Sequence, residues 1–214
     1  MRRLGAATAI LISFLAWQPG AKAATYTPNI TNDTAFDWST PLFAYNFGFN
    51  PSASVNGVNF TNGDSLMDED GNFATGATVS PAAFQHLLET GDYKFDAPMS
   101  LTINGLSIGQ EYGVQLFFAN NGVNRSFNVT LEGNVLFGSS IVLGANTAAG
   151  LQVNFTATDT TLNVSLTPDA GNYVVLSAVT VKVGAVPEPS STAMVVGLFA
   201  ALLCLLKRRD SARR

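Results

Sequence analysis

Cysteine and histidine are almost absent from this sequence of 214 residues, which contains one of each. Cys204 lies inside an apolar run near the C-terminus, where a thiol behaves as a small hydrophobic group, so neither a disulfide nor a catalytic thiol is expected in the body of the protein. His86 alone cannot form a zinc cluster, and no Gly-x-Ser-x-Gly turn accompanies it, so a Ser/His/Asp triad is not expected. We expect His86 to be a partly buried structural residue.

Positive charge is also scarce in the body of the chain. Between residues 24 and 186, Lys94, Arg125 and Lys182 face thirteen Asp and Glu residues, which leaves a net charge of −10. Such a surface repels phosphate backbones, so nucleic acid is not expected as a partner. For Arg125 we expect an ion pair with a nearby acid at the surface, and the alternative is a clamp for a ligand carboxylate or a sugar.

The N-terminus has the three parts of a secretory signal. Arg2 and Arg3 precede an apolar run over residues 4–17, and Pro19-Gly20 ends it. Ala21 and Ala23 then provide the small residues that signal peptidase requires, so residues 1–23 are predicted to be a cleaved signal peptide. An uncleaved anchor is the alternative, although the run is shorter than the roughly 20 residues that a membrane-spanning helix needs.

The C-terminus combines a proline motif, an apolar run and a basic end. The two prolines beside Glu188 prevent a helix and keep the chain extended and open to a protease. Residues 193–206 are uncharged and predict a transmembrane helix, and the basic end 207–214 is expected on the cytoplasmic side. The motif is Val186, Pro187, Glu188, Pro189 and Ser190, and the basic stop is Lys207, Arg208 and Arg209.

This order of features resembles the PEP-CTERM sorting signal, found on proteins of bacteria that make exopolysaccharide. The resemblance covers residues 186–214. It implies processing by an exosortase near Pro187-Glu188-Pro189, transient anchoring in the membrane, and a final location in the cell envelope, at the cell surface or in the extracellular matrix. A permanent C-terminal anchor is the alternative.

The remaining residues, 24–185, show the patterning of one β-rich domain. Apolar and polar residues alternate strictly over 126–131, 151–156 and 162–166, and continuous apolar runs over 112–119 and 173–183 indicate two more central strands. A helical turn or two is expected only over residues 81–90. We therefore predict an all-β, antiparallel β-sandwich, of the jelly-roll type, with a core that includes Phe127, Val129, Val153, Phe155, Val164 and Val179.

Within this domain, residues 87–93, 101–112 and 114–120 resemble secreted bacterial domains with a galactose-binding-like jelly roll. Such domains often bind glycans. The resemblance maps no individual ligand residue, and the fold by itself assigns no ligand.

An oxygen-rich segment lies in the first half of the domain. Asp64, Asp68, Asp70 and Asn72 surround Glu69 beside Gly63 and Gly71, and carboxylate and amide oxygens are the ligands that Ca²⁺ prefers. The spacing departs from the EF-hand loop, because that template places Leu66 at its first ligand position. The two interpretations are an irregular calcium site and a solvated acidic turn without metal.

The function that these features favour is that of an exported, non-catalytic bacterial surface or biofilm-matrix protein that binds extracellular polysaccharide. The alternatives are a secreted polysaccharide-acting enzyme and a calcium-stabilised adhesin. A pair of catalytic carboxylates cannot be selected from the sequence, because their separation of about 5 to 9.5 Å depends on the fold.

Seven Asn-x-Ser/Thr sequons are interpreted as incidental, since Asn and Thr are common on solvated strands and turns.

Overall fold

The computed structural model describes residues 24–49 and 52–184. The predicted signal peptide 1–23 with Ala21 and Ala23 lies outside the described residues, and so does the predicted sorting tail 186–214 with its helix 193–206 and basic end. In the described part of the chain, no helix has the length and apolar character needed to span a membrane.

The described chain is built almost entirely of short strands. The first eight are β1 Thr25–Thr27, β2 Phe43–Asn46, β3 Ser52–Val55, β4 Val58–Asn62, β5 Met67–Asp68, β6 Gly71–Ala74, β7 Thr90–Phe95 and β8 Met99–Asn104. The second eight are β9 Glu111–Ala119, β10 Arg125–Leu131, β11 Asn134–Val135, β12 Ile141–Leu143, β13 Ala148–Thr156, β14 Thr161–Pro168, β15 Tyr173–Leu176 and β16 Ala178–Val183. A 3-10 turn covers Asp64–Leu66, and the helix α1 covers Ala82–Leu88, inside the range predicted for a helical turn.

These strands form three sheets. The large sheet has the order β1-β13-β9-β16-β2-β4-β3, and the second sheet has the order β11-β10-β14-β8-β5 with β12 paired to β10. The small sheet has the order β15-β7-β6. All pairs are antiparallel except β2 with β4, so the predicted antiparallel β-sandwich is confirmed.

The main core lies between the large sheet and the second sheet. Alternate residues of β8, β10 and β14 pack there against alternate residues of β9, β13 and β16. The predicted core residues are confirmed, since all six are at most 3% exposed: Phe127, Val129, Val153, Phe155, Val164 and Val179.

The two continuous apolar runs behave differently. The run 112–119 is one strand, β9, near the middle of the large sheet and buried on both faces. The prediction of one strand over 173–183 is wrong, because the chain changes sheets at Ser177. Its N–H donates to the Phe117 carbonyl at 2.9 Å and its carbonyl accepts the Phe47 N–H at 2.9 Å, so β15 joins the small sheet and β16 the large one.

A second apolar cluster covers part of the outer face of the large sheet, the face turned away from the second sheet. Phe36, Trp38, Phe84 and Phe117 pack there, beneath α1 and the segment that leads into β2. Gly150 is required for this packing, because a Cβ at this position would come within 2.3 Å of the Phe36 ring.

The side chain of Gln115 fixes the segment before β2 to the sheet. Its Oε1 accepts the Asp37 N–H at 3.0 Å, and its Nε2 donates to the Asp37 carbonyl at 2.8 Å and to Thr180 Oγ1 at 2.9 Å. Gln115 is buried, so these bonds are shielded from water. The segment therefore divides the outer face into two grooves.

Candidate functional site

The first groove, of about 290 Å³, opens beside Trp38. The segment before β2 contributes Trp38, Thr40 and Leu42 to its lining, and the β3–β4 hairpin contributes Asn56 and Asn59. Indole and aliphatic surface is thus combined with a few polar groups, which is the usual chemistry of a small-molecule site. We call this the Trp38 groove.

The Trp38 ring is held in place before any ligand arrives. It stacks on Phe117 with a centroid distance of 5.6 Å and an interplanar angle of 8°, and Phe60 and Phe84 contact it edge-on. Its Nε1 donates to the Asp33 carbonyl at 2.9 Å. The same Asp33 accepts the Asn56 side-chain amide at 2.8 Å, so it links the two walls of the groove.

The second groove, of about 320 Å³, lies on the other side of the same segment and is more polar. Asp37 and Lys182 form an ion pair there, and burial lowers the pKa of Lys182. The base of the groove is formed at Gly113. A side chain there would crowd the groove, because a Cβ would lie 3.1 Å from both Asn154 Oδ1 and the Lys182 side chain. Amide, hydroxyl and ionic groups line this groove, but none of its lining residues is aromatic.

The structure gives the four predicted calcium ligands separate partners. Asp64 accepts the Gly48 N–H at 3.1 Å, Asp68 pairs with Lys94 at 2.7 Å, and Asp70 accepts the Phe95 N–H at 2.9 Å. Asn72 lies across from Asp92 in the small sheet. Over residues 24–49 and 52–184, no group of three or more His, Cys, Asp and Glu side chains is arranged to hold a metal ion. The set of four stays a prediction.

A different pair of acids in this region was missed by the sequence reasoning. Asp92 on β7 is 0% exposed, and neither of its carboxylate oxygens has a hydrogen-bond partner. Glu69 Oε2 is likewise buried without a partner. The sequence carried one signal for Asp92, since aspartate is depleted in strands and this residue follows the apolar end of a helix by only a few positions.

Burial and neighbouring charges change the acidity of both groups. Burial, followed by the charges of Asp64 and Glu69, raises the pKa of Asp92 to about 8. The nearby Gly48 N–H, whose hydrogen bond goes to Asp64, opposes this only in part. Burial and the charges of Asp64, Asp70 and Asp68 raise the pKa of Glu69. Repulsion between these carboxylates is therefore built into the fold.

Arg125 and His86 also differ from expectation. Arg125 is 7% exposed, so the prediction of a surface ion pair is wrong. Its guanidinium donates to the side-chain oxygens of Asn120 at 2.7 Å and Asn121 at 3.0 Å. The guanidinium also lies 4.5 Å from the Tyr173 ring centroid, and burial lowers the pKa of Arg125. His86 is exposed rather than partly buried, and its Nδ1 lies 2.9 Å from Glu89 Oε2.

No protein-family model and no curated protein matches this sequence. Among solved structures, the chain is similar to the extracellular domain of ANXUR2 from Arabidopsis thaliana, with a TM-score of 0.56 and 11% identity over 77% of this chain and 58% of that one. It is also similar to the ANXUR1 extracellular domain, with a TM-score of 0.52 and 9% identity over 72% of this chain and 52% of that one.

A third similar structure is a calcium-binding mutant of β-glucuronidase 2 from Bacteroides uniformis. Its TM-score is 0.53 and its identity 10%, over 74% of this chain and 20% of that one. This chain spans about half the length of the plant ectodomains and a fifth of the glucuronidase. At these identities the likeness establishes a shared β-sandwich fold.

Proposed function

We propose that this chain is an exported, non-catalytic carbohydrate-binding protein of the bacterial surface or matrix, and that it binds a neutral glycan in the Trp38 groove. The observation that carries the proposal is the immobilised indole of Trp38 beside side-chain amides. An aromatic ring offers apolar surface to the C–H groups of a sugar, and amides bind its hydroxyl groups. Because Trp38 is already stacked on Phe117, ordering this ring costs no additional entropy on binding.

The charge of the domain supports a neutral ligand. Three basic residues and thirteen acidic ones between positions 24 and 186 give a field that repels polyanionic chains. Two of the three cations, Lys94 and Lys182, are already paired with Asp68 and Asp37. A glycan that is rich in hydroxyl groups and free of carboxylate or sulfate is not repelled by this surface, whereas a polyanionic glycan is.

The kinds of protein to which the similar structures belong are compatible with this proposal. Two of them are extracellular domains, and the third is a β-glucuronidase. We further propose that residues 186–214 are the sorting signal that the PEP-CTERM resemblance implies. It would place the sandwich outside the cell, where polysaccharide is available.

Binding assays with the full chain in detergent test the proposal. Affinity electrophoresis through gels that contain neutral or uronate-rich polysaccharides should show retardation by a neutral polymer only. Asn59→Ala should abolish the retardation, and Asn104→Ala, an exposed amide on the second sheet, should retain it. Retardation that is unchanged by Asn59→Ala and by Trp38→Ala would contradict the groove. Release of new reducing ends from the polymer would instead favour the polysaccharide-acting enzyme.

A further inference from the structure

The buried carboxylate of Asp92 and the half-buried carboxylate of Glu69 lie where the small sheet meets the end of the large sheet. Asp92 is in the middle of the small sheet, and Glu69 lies in the loop between β5 and β6. Both oxygens of Asp92 and one oxygen of Glu69 lack any hydrogen-bond partner. A buried carboxylate without donors is strongly unfavourable, so this arrangement needs a compensating group.

The nearby donors are already used elsewhere. The Gly48 N–H donates to Asp64, and the Thr90 hydroxyl, on the same face of β7 as Asp92, donates to the Phe47 carbonyl at 3.1 Å. Lys94, the cation on this strand, is paired with the exposed Asp68. The protein therefore brings its carboxylates together here but directs its own donors away from Asp92.

We propose that this region is a calcium site in which Asp92 and Glu69 are the side-chain ligands and Asp64 adds its negative charge nearby. Fewer than three acidic side chains are arranged for direct coordination, so main-chain carbonyls and water would complete the shell. Ca²⁺ accepts six to eight oxygens in flexible geometry, whereas Mg²⁺ demands a near-ideal octahedron and Zn²⁺ prefers nitrogen and sulfur. The donor set, made of oxygens only, therefore favours calcium.

The surroundings of the site give the ion a structural role. Asp92 belongs to the small sheet, whereas Asp64 follows the last residues of β4 in the large sheet. The turn that carries Asp64 is tightly placed. The N–H of the preceding Gly63 donates to the Asn46 carbonyl at 2.9 Å, and a Cβ on Gly63 would come within 2.6 Å of the Phe47 ring. An ion held by Asp92 and Glu69 and attracted by the charge of Asp64 would fasten the two sheets to each other.

Calorimetry and thermal unfolding of the full chain in detergent test this site. After removal of metal with a chelator, titration with CaCl₂ should give heat and a dissociation constant on the order of 10⁻⁴ to 10⁻³ M, as for extracellular calcium modules. The midpoint of thermal unfolding should rise by several degrees in 5 mM CaCl₂, about ten times a dissociation constant in that range. The same concentration of MgCl₂ should produce less than half of that rise.

Two matched variants separate the site from general effects of charge. Asp92→Asn should abolish both the heat and the calcium-dependent rise. Its calcium-free midpoint should equal or exceed that of the wild type, because the amide needs neither a proton nor a counter-ion at this buried position. Asp68→Asn removes an equal charge that lies at the surface and should retain the calcium response. Absence of heat together with an unchanged midpoint in the wild type would overturn the site. A calcium response that survives Asp92→Asn would overturn it as well.

Discussion

Trp38 lies parallel to Phe117, with ring centroids 5.6 Å apart and planes inclined by 8°. Phe117 belongs to a strand near the middle of the large sheet, and Trp38 belongs to the segment that Gln115 holds on that sheet. The groove wall thus has the rigidity of the sheet although it lies in a connection between strands. Binding geometry at Trp38 is consequently coupled to the packing of the second apolar cluster.

Substitution of Trp38 should separate packing from recognition. Trp38→Ala should lower the free energy of unfolding by about 3 kcal/mol, because the ring contacts Phe60, Phe84 and Phe117, and should also abolish glycan binding. Trp38→Phe should recover most of the stability and a part of the affinity. Urea unfolding and affinity electrophoresis measure the two effects, and full affinity in Trp38→Ala would contradict a role for the indole.

The main core is tested by Phe155. This residue is 3% exposed and packs against Tyr112 with a centroid distance of 5.9 Å. Phe155→Ala should lower the free energy of unfolding by about 3 to 5 kcal/mol. Val142→Ala, at a largely exposed position on β12, should change it by less than about 0.5 kcal/mol. A loss below about 1 kcal/mol for Phe155→Ala would mean that the register of β13 is wrong.

Gly150 should tolerate no side chain. Because a Cβ here would collide with the Phe36 ring, Gly150→Ala should destabilise the protein by about 1 to 3 kcal/mol. The control is Gly138→Ala, where no atom lies within 4 Å of the added methyl group. Chemical unfolding of the two variants should differ clearly, and equal stabilities would show that the segment before β2 is free to move away from the sheet.

The pH dependence of stability should report on Asp92. Its folded-state pKa is raised to about 8 from the ordinary aspartate value of 3.8, so the folded protein retains a proton that the unfolded chain releases. In chelator, the contribution of Asp92 is therefore lost progressively as pH rises from about 4 to about 8, and the loss levels off above that range. Asp92→Asn should lack this slope, so the free energy of unfolding of the wild type relative to that of the variant should fall over the same pH range. Parallel curves for variant and wild type over this range would contradict a protonated Asp92.

The proposed sorting tail predicts a defined C-terminus. Mass spectrometry of protein recovered from the native envelope or matrix should find cleavage close to Pro187-Glu188-Pro189. Deletion of residues 186–214 should release the protein in soluble form. Mature protein that retains residues 202–214 in a host with an exosortase would instead indicate a permanent anchor.

The sequence predicts the fold correctly where apolar and polar residues alternate strictly along a strand. Phe127 and Val129 alternate with polar residues, and a sheet with one buried face leaves a single register for such a pattern. The prediction failed at Ser177, because a buried apolar run is compatible with one strand or with two strands in different sheets. Only the long-range bonds of Ser177 to Phe117 and Phe47 decide between them.

The residues of the candidate sites also depend on long-range contacts that the local sequence pattern does not determine. The acidic segment 64–72 was visible because its residues are close in sequence, but Asp92 reaches this region only through the pairing of β6 with β7. Arg125 was expected at the surface because it is charged. Its burial depends on Tyr173, a residue 48 positions away that the small sheet brings beneath the guanidinium. Contacts of this kind depend on sheet topology, which local patterns do not encode.

The position of β16 has a mechanical consequence for an anchored protein. This last described strand is hydrogen-bonded to β9 on one side and to β2 on the other, and it leads directly towards the predicted tail. Tension applied through the tail would pull β16 along its own axis and load the bonds on both sides together. An edge strand would instead be peeled away one bond at a time. The proposed tail would thus attach the sandwich through a strand that resists shear.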